Sequence, residues 1–112
     1  MRKMNFNDFE GVVVKSSYHT DKSLALLLMD VNDLQGGPIA TITVNMNEPG
    51  LPENWQYVKD YSENTGMLKA LQNAGLVRNI HGHRRSGFVE VPLVEFNLEG
   101  VLDAEKISTS CS

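Results

Sequence analysis

With 112 residues, the chain has room for one main hydrophobic core but not for separate binding and catalytic domains of ordinary size. Its formal net charge of −4, from 14 acidic against 10 basic side chains, is too mild and too dispersed for a DNA mimic or a general nucleic-acid binder. The one cysteine, Cys111, has no internal disulfide partner, and the longest apolar run, Leu24 to Met29, falls far short of the roughly 20 residues of a membrane helix.

In chain order, Met1 to Asp8 has a basic start with no apolar stretch after it, so the expectation is a cytoplasmic protein, neither secreted nor membrane-spanning. Val12-Val13-Val14, after Gly11, predicts a first strand. Leu24 to Met29 predicts a second, covered on both sides because it lacks a polar alternate face. Asp30 to Pro38, rich in Gly, Asp and Asn, predicts a connection. In Ile39 to Met46, Ala40, Ile42, Val44 and Met46 share one parity while Thr41, Thr43 and Asn45 share the other. That alternation predicts a half-buried strand, forming an antiparallel hairpin with the preceding run. Asn47 to Asn54 contains prolines that stop the ladder, and as the longest polar connection in mid-chain it is a place for contact.

Trp55, Tyr57 and Val58 predict a short extended segment, followed by a helix from about Ser62 to Ala74. Ser62 is its expected cap, with Asp60 and Asn64 as alternatives and Glu63 in the first turn. Met67, Leu68, Leu71 and Ala74 form its apolar stripe, and Gly75 its left-handed stop, with Leu76 packing back on Leu71. Leu76 to Ile80 and Phe88 to Val94 read as extended segments around a basic turn, His81 to Gly87. Pro92 places the second at an edge, a bulge or a strand end. Phe96 to Ile107 fits a short helix or an extended coil. The expected architecture is one α+β domain over residues 1–107, a small mainly antiparallel β-sheet packed against one principal α-helix, then a flexible tail over 108–112.

The sequence holds no complete catalytic or metal-binding constellation. His81 and His83 would share a side of a strand, but two imidazoles fall short of a zinc site, and His19, Asp21 or Cys111 would have to complete it in space. Arg78, His81, His83, Arg84 and Arg85 form the densest basic stretch, and no acidic residue lies between Asn64 and Val89. Arginine forks onto phosphate, so this segment is the candidate for nucleic-acid contact. The competing reading is a solvated turn that pairs with the C-terminal stretch, where five acids from Glu90 onward face one lysine. No helix-turn-helix, zinc-finger or RNA-binding aromatic motif supports the first.

Asp60, Glu63 and Glu53 are better explained as groups favouring a helix N-terminus than as an acid and base pair. Gly36-Gly37-Pro38 lacks the lysine of a phosphate loop, Cys111 has no neighbouring histidine, and Ser62 and Ser86 lack a nucleophile elbow. Trp55, Tyr57 and Tyr61 either cover the sheet where the helix docks or form an exposed recognition edge.

Ala40-Thr41-Ile42-Thr43-Val44-Asn45, Leu51-Pro52, the run from Tyr57 to Asn64, the helix through Leu71 and Ala74-Gly75, and Gly87-Phe88-Val89-Glu90-Val91-Pro92 together resemble domain of unknown function 4313. The resemblance covers about residues 22–96, and its most specific part is Lys59-Asp60-Tyr61-Ser62-Glu63-Asn64. It implies a cytoplasmic accessory protein of bacteria, largely Gram-positive, carried on conjugative or other mobile elements. It assigns no reaction, cofactor or catalytic residue.

The expectation is a noncatalytic accessory or protein-interaction module, with no cofactor and no metal, whose partner is another protein or a second copy of itself. Its candidate contacts are the Asn47 to Asn54 loop, Trp55, Tyr61, and the basic residues Arg78, His81, His83, Arg84 and Arg85. The alternatives are a nucleic-acid-binding accessory protein using residues 78–85, and a small metal-binding protein or enzyme.

Overall fold

A computed structural model describes residues 2–18, 22–30 and 32–104. His19, Asp21, Cys111 and the 108–112 tail lie outside the described residues, as does the side chain of Glu63. Alternation builds the first hairpin: in β1 (Lys3–Phe6), Met4 and Phe6 are buried while Lys3 and Asn5 are exposed. Asn7 and Asp8 both take positive φ, 49° and 67°, the mirror-image turn whose twist matches the strands it joins. It sets Phe6 opposite Phe9 and starts β2 (Phe9–Ser17).

β2 pairs antiparallel with β3 (Leu24–Asp30), and β3 with β4 (Asp33–Thr41). β1 pairs with β2 as far as Val12; beyond it β9 (Leu102–Asp103) lies parallel to Val14 and Lys15. As expected, β3 is covered on both faces. Leu24, Leu26 and Leu28 enter the main core, while Leu27 and Met29 pack with Val12, Val14, Leu102 and Ala104 behind the sheet.

The expected connection from Asp30 to Pro38 is instead mostly strand, since β4 already begins at Asp33. The Gly-Gly-Pro stretch is absorbed by register shifts at Met29, with Met29 opposite Pro38 and Asp30 opposite Asp33. β4 lies at the end of the β1-β2-β3-β4 order, where a bulged strand without one N–H is tolerated.

A second antiparallel sheet has the order β5-β6-β8-β7, with β5 (Thr43–Val44), β6 (Trp55–Val58), β7 (Val77–Ser86) and β8 (Val89–Phe96). Ile42 joins the two sheets: its N–H donates to Leu26 O (2.9 Å) and its carbonyl accepts from Lys59 N (2.9 Å). Buried polar side chains close the same seam. Thr43 Oγ1 accepts from Leu26 N (3.1 Å), Gln56 Nε2 donates to Leu24 O (2.9 Å), and Asn64 Nδ2 donates to Thr41 O (2.6 Å). Each satisfies a strand backbone group where the ladders part, which an apolar side chain could not do.

The expected helix from Ser62 to Ala74 is split. Ser62–Asn64 form a 3-10 turn, and α1 proper is Met67–Asn73. Ser62 has φ 55° and no capping bond, and Asn64 turns inward to the seam, so neither caps the helix. Asp60 does: its Oδ1 accepts from Gly66 N (2.9 Å) and Leu68 N (3.3 Å), because Gly66, at the cap position, has no side chain of its own.

The other end is as the sequence predicts. Leu76 N donates to Leu71 O and Gly75 N to Gln72 O, with Gly75 at φ 74°. Arg2 Nη2 adds a bond to Ala74 O (2.7 Å), tying the start of the chain to the helix end. Met67 and Leu71 are fully buried in one core with Met4, Phe6, Val58, Val94 and Phe96, so α1 packs against residues of both sheets.

Candidate functional site

The basic segment is not a turn. β7 runs through it to Ser86, and only Gly87 and Phe88 connect to β8, with Ser86 opposite Val89. Gly87 has φ 61° while Phe88 does not have positive φ, which is the II′ hairpin turn with glycine at its first position. Phe88 stands at the tip, 101% exposed.

His81 and His83 do not share a side. Register shifts between Val77 and Asn79 and between Ile80 and Gly82 add residues to β7, and the second re-aims His81. Its ring stacks on Trp55, centroids 3.8 Å apart and planes 10° from parallel. Its Nε2 hydrogen bonds Glu95 Oε1 at 2.7 Å, with Glu95 paired across the ladder to Trp55. His83 lies opposite Pro92 and Arg84 opposite Val91, so these neighbours point to opposite faces.

Further along the same face, Tyr57 OH donates to Glu48 Oε1 (2.7 Å), and Arg84 Nη1 reaches that oxygen (3.4 Å) and Met46 O (3.3 Å). Burial pushes the Tyr57 phenol above its usual range, helped by the hydrogen bond to Glu48 and by that carboxylate's charge, with Arg84 opposing. These bonds fasten the Asn47 to Asn54 loop over the outer face of the second sheet; at its far end Asn54 bonds Phe96 in both directions. Trp55 and Tyr57 thus lie on the face away from α1, since Val58 and Val94, of opposite parity, meet the helix in the core. The expected role of covering the helix dock is corrected on that ground.

The predicted residues therefore divide. Trp55, His81 and Arg84 brace the sheet's outer face, and Tyr61 sits apart with Lys59 Nζ 5.8 Å from its ring centroid. Arg78, His83 and Arg85 are exposed along β7; Arg85 Nε donates to Gly87 O (3.2 Å). The C-terminal acids meet the basic stretch in part. Glu95 holds His81 and Glu90 lies opposite Arg85 in register, but the carboxylate on Arg84 is Glu48, from the mid-chain loop.

Among the described residues no three His, Cys, Asp or Glu side chains gather around a metal position. Phe88 was not singled out from the sequence, although Ser-Gly-Phe-Val between two extended runs signals a two-residue turn. A second surface was missed as well: an open groove of about 350 Å³ lined by Phe6, Phe9, Pro38, Ile39 and Lys59.

The sequence profile of the domain of unknown function DUF4313 matches residues 13–111. The chain belongs to the DUF4313 family. The DUF4313 match takes in the second sheet, α1 and, of the first sheet, β3, β4, β9 and β2 from Val13 onward, extending past the resemblance at either end, whereas β1 and the start of β2 precede it. No curated protein and no solved structure matches the chain. No helix among the described residues is long and apolar enough to cross a membrane.

Proposed function

We propose that this DUF4313 chain is a noncatalytic interaction module that meets a protein partner through the β7–β8 hairpin. The observation that carries this reading is Phe88, wholly exposed at the tip. A II′ turn requires glycine at its first position and nothing aromatic at its second. A phenyl ring held in water forgoes roughly 1.5–3 kcal/mol that burial would supply, and aromatic anchors of this kind dominate interface energetics. The base of the hairpin is already rigid: Trp55, His81 and Glu95 lock one stretch and Tyr57, Glu48 and Arg84 the next. A contact presented on a fixed frame loses less entropy on binding.

The side chains with chemical potential act as braces in this reading, which favours a noncatalytic role. Nucleic-acid contact is less favoured, because His81 and Arg84 already hold carboxylates. The cytoplasmic, mobile-element setting implied by the family resemblance belongs to the same proposal.

The test is affinity capture from cells that encode the protein, comparing wild type with Phe88→Ser and with Gln72→Ser on the exposed side of α1. The expected result is a protein retained by wild type and Gln72→Ser and reduced by about tenfold or more with Phe88→Ser, at unchanged unfolding midpoint. Equal retention by all three, or capture that nuclease abolishes, would count against it.

A further inference from the structure

We propose that β7 is a docking edge for an acidic, extended protein segment, which joins the second sheet as an added strand. This rests on the interaction reading above and names its partner chemistry. β7 is the last strand in the β5-β6-β8-β7 order and pairs with β8 alone among the described residues. The two-residue turn makes Ser86 and Val89 the hydrogen-bonded pair that closes the hairpin, and pairs alternate from there. Ser86, Arg84 and Gly82 therefore direct their backbone groups to β8, while His83 and Arg85 direct theirs outward. Pro92 agrees with this phase. It stands opposite His83, where no bond to β7 is made, and past the last β6 pair, Tyr57 with Leu93, so its missing N–H costs the ladder nothing.

The side chains of His83 and Arg85 share one face, so a strand added here runs beside both. The charge selects that strand. With His81 and Arg84 engaged by Glu95 and Glu48, β7 still exposes Arg78, His83 and Arg85, and no acid occurs between Asn64 and Val89. A second copy in antiparallel register would set Arg and His against themselves, which is destabilising. An acidic segment meets cations instead. The two register shifts confine the regular edge to Gly82–Ser86, a length that main-chain bonds alone hold weakly, so binding depends on the charge match.

The experiment follows amide hydrogen exchange in the labelled full chain with three synthetic peptides of equal length: alternating Glu and Val, alternating Lys and Val, and the Glu-Val peptide N-methylated at every residue, which leaves neither edge an N–H to donate. The Glu-Val peptide is expected to slow exchange at His83 and Arg85 by about tenfold or more, leave Arg84 and Ser86 unchanged, and weaken with salt. Arg85→Glu should remove the effect. No protection at His83 and Arg85, or equal protection by either control peptide or by an oligonucleotide of the same charge, overturns the proposal. The readout is independent of Phe88→Ser capture, so either claim can fail while the other stands.

Discussion

Asp60 fixes where α1 begins, because Gly66 at the cap position offers no side chain and the Asp60 carboxylate supplies two bonds from outside the helix. Replacing it with Ala should cost about 1 kcal/mol in urea unfolding, and Asn, which can still accept, only a fraction of that. Tyr57 gives a pH prediction. Its neutral phenol is the form the fold favours, so its folded pKa lies above the usual 10.0. Its contribution is full below the usual value and is lost as pH rises through the folded one. Phenolate absorbance should show a component titrating above the ordinary tyrosine range, and Tyr57→Phe should remove it together with its share of the alkaline loss of stability. Asp60 was legible in the sequence as an alternative cap, since carboxylates near a helix start act locally. His81 was not, because its neighbours Trp55 and Glu95 are brought to it by a bulge that no local pattern announces.

At the scale of elements, β3 was readable since both its faces are apolar and both are buried. The basic half of β7, from His81, was misread as a turn for the opposite reason: every residue in it is exposed or half-buried, so an edge strand with two solvated faces shows no alternation, and Gly82 and Gly87 resemble loop punctuation. β4 was read as strand only from Ile39, since its Gly-Gly-Pro stretch resembles loop punctuation. The split of the helix depends on Asn64 finding Thr41, and β9 on finding β2, both long-range pairings. Gly11 is likewise explained only by its neighbours across the sheet. A Cβ there would lie 2.7 Å from Leu28 Cδ1 and 2.8 Å from Met29 O. The backbone contact leaves little room to adjust, so Gly11→Ala should destabilise by about 1–3 kcal/mol, read as a lowered urea midpoint.

Over the whole molecule, the α+β class with a helix on a mainly antiparallel scaffold was legible from hydrophobic pattern, whereas its division into two sheets was not. The division is made at Ile42 and held by buried Thr43, Gln56 and Asn64, whose partners lie on other strands. Gln56→Leu keeps the volume but leaves Leu24 O and Tyr57 N without their partners. It should cost about 1–3 kcal/mol and raise exchange at Tyr57. The same architecture sets the hairpin at one end of the second sheet with Phe88 outermost. A photo-activatable phenylalanine analogue placed at Phe88, and as a reference at Gln72, can be irradiated in living cells. The account predicts an adduct to a defined protein from position 88 and none from position 72. Equal adducts from both positions, or an adduct to nucleic acid from position 88, would contradict it.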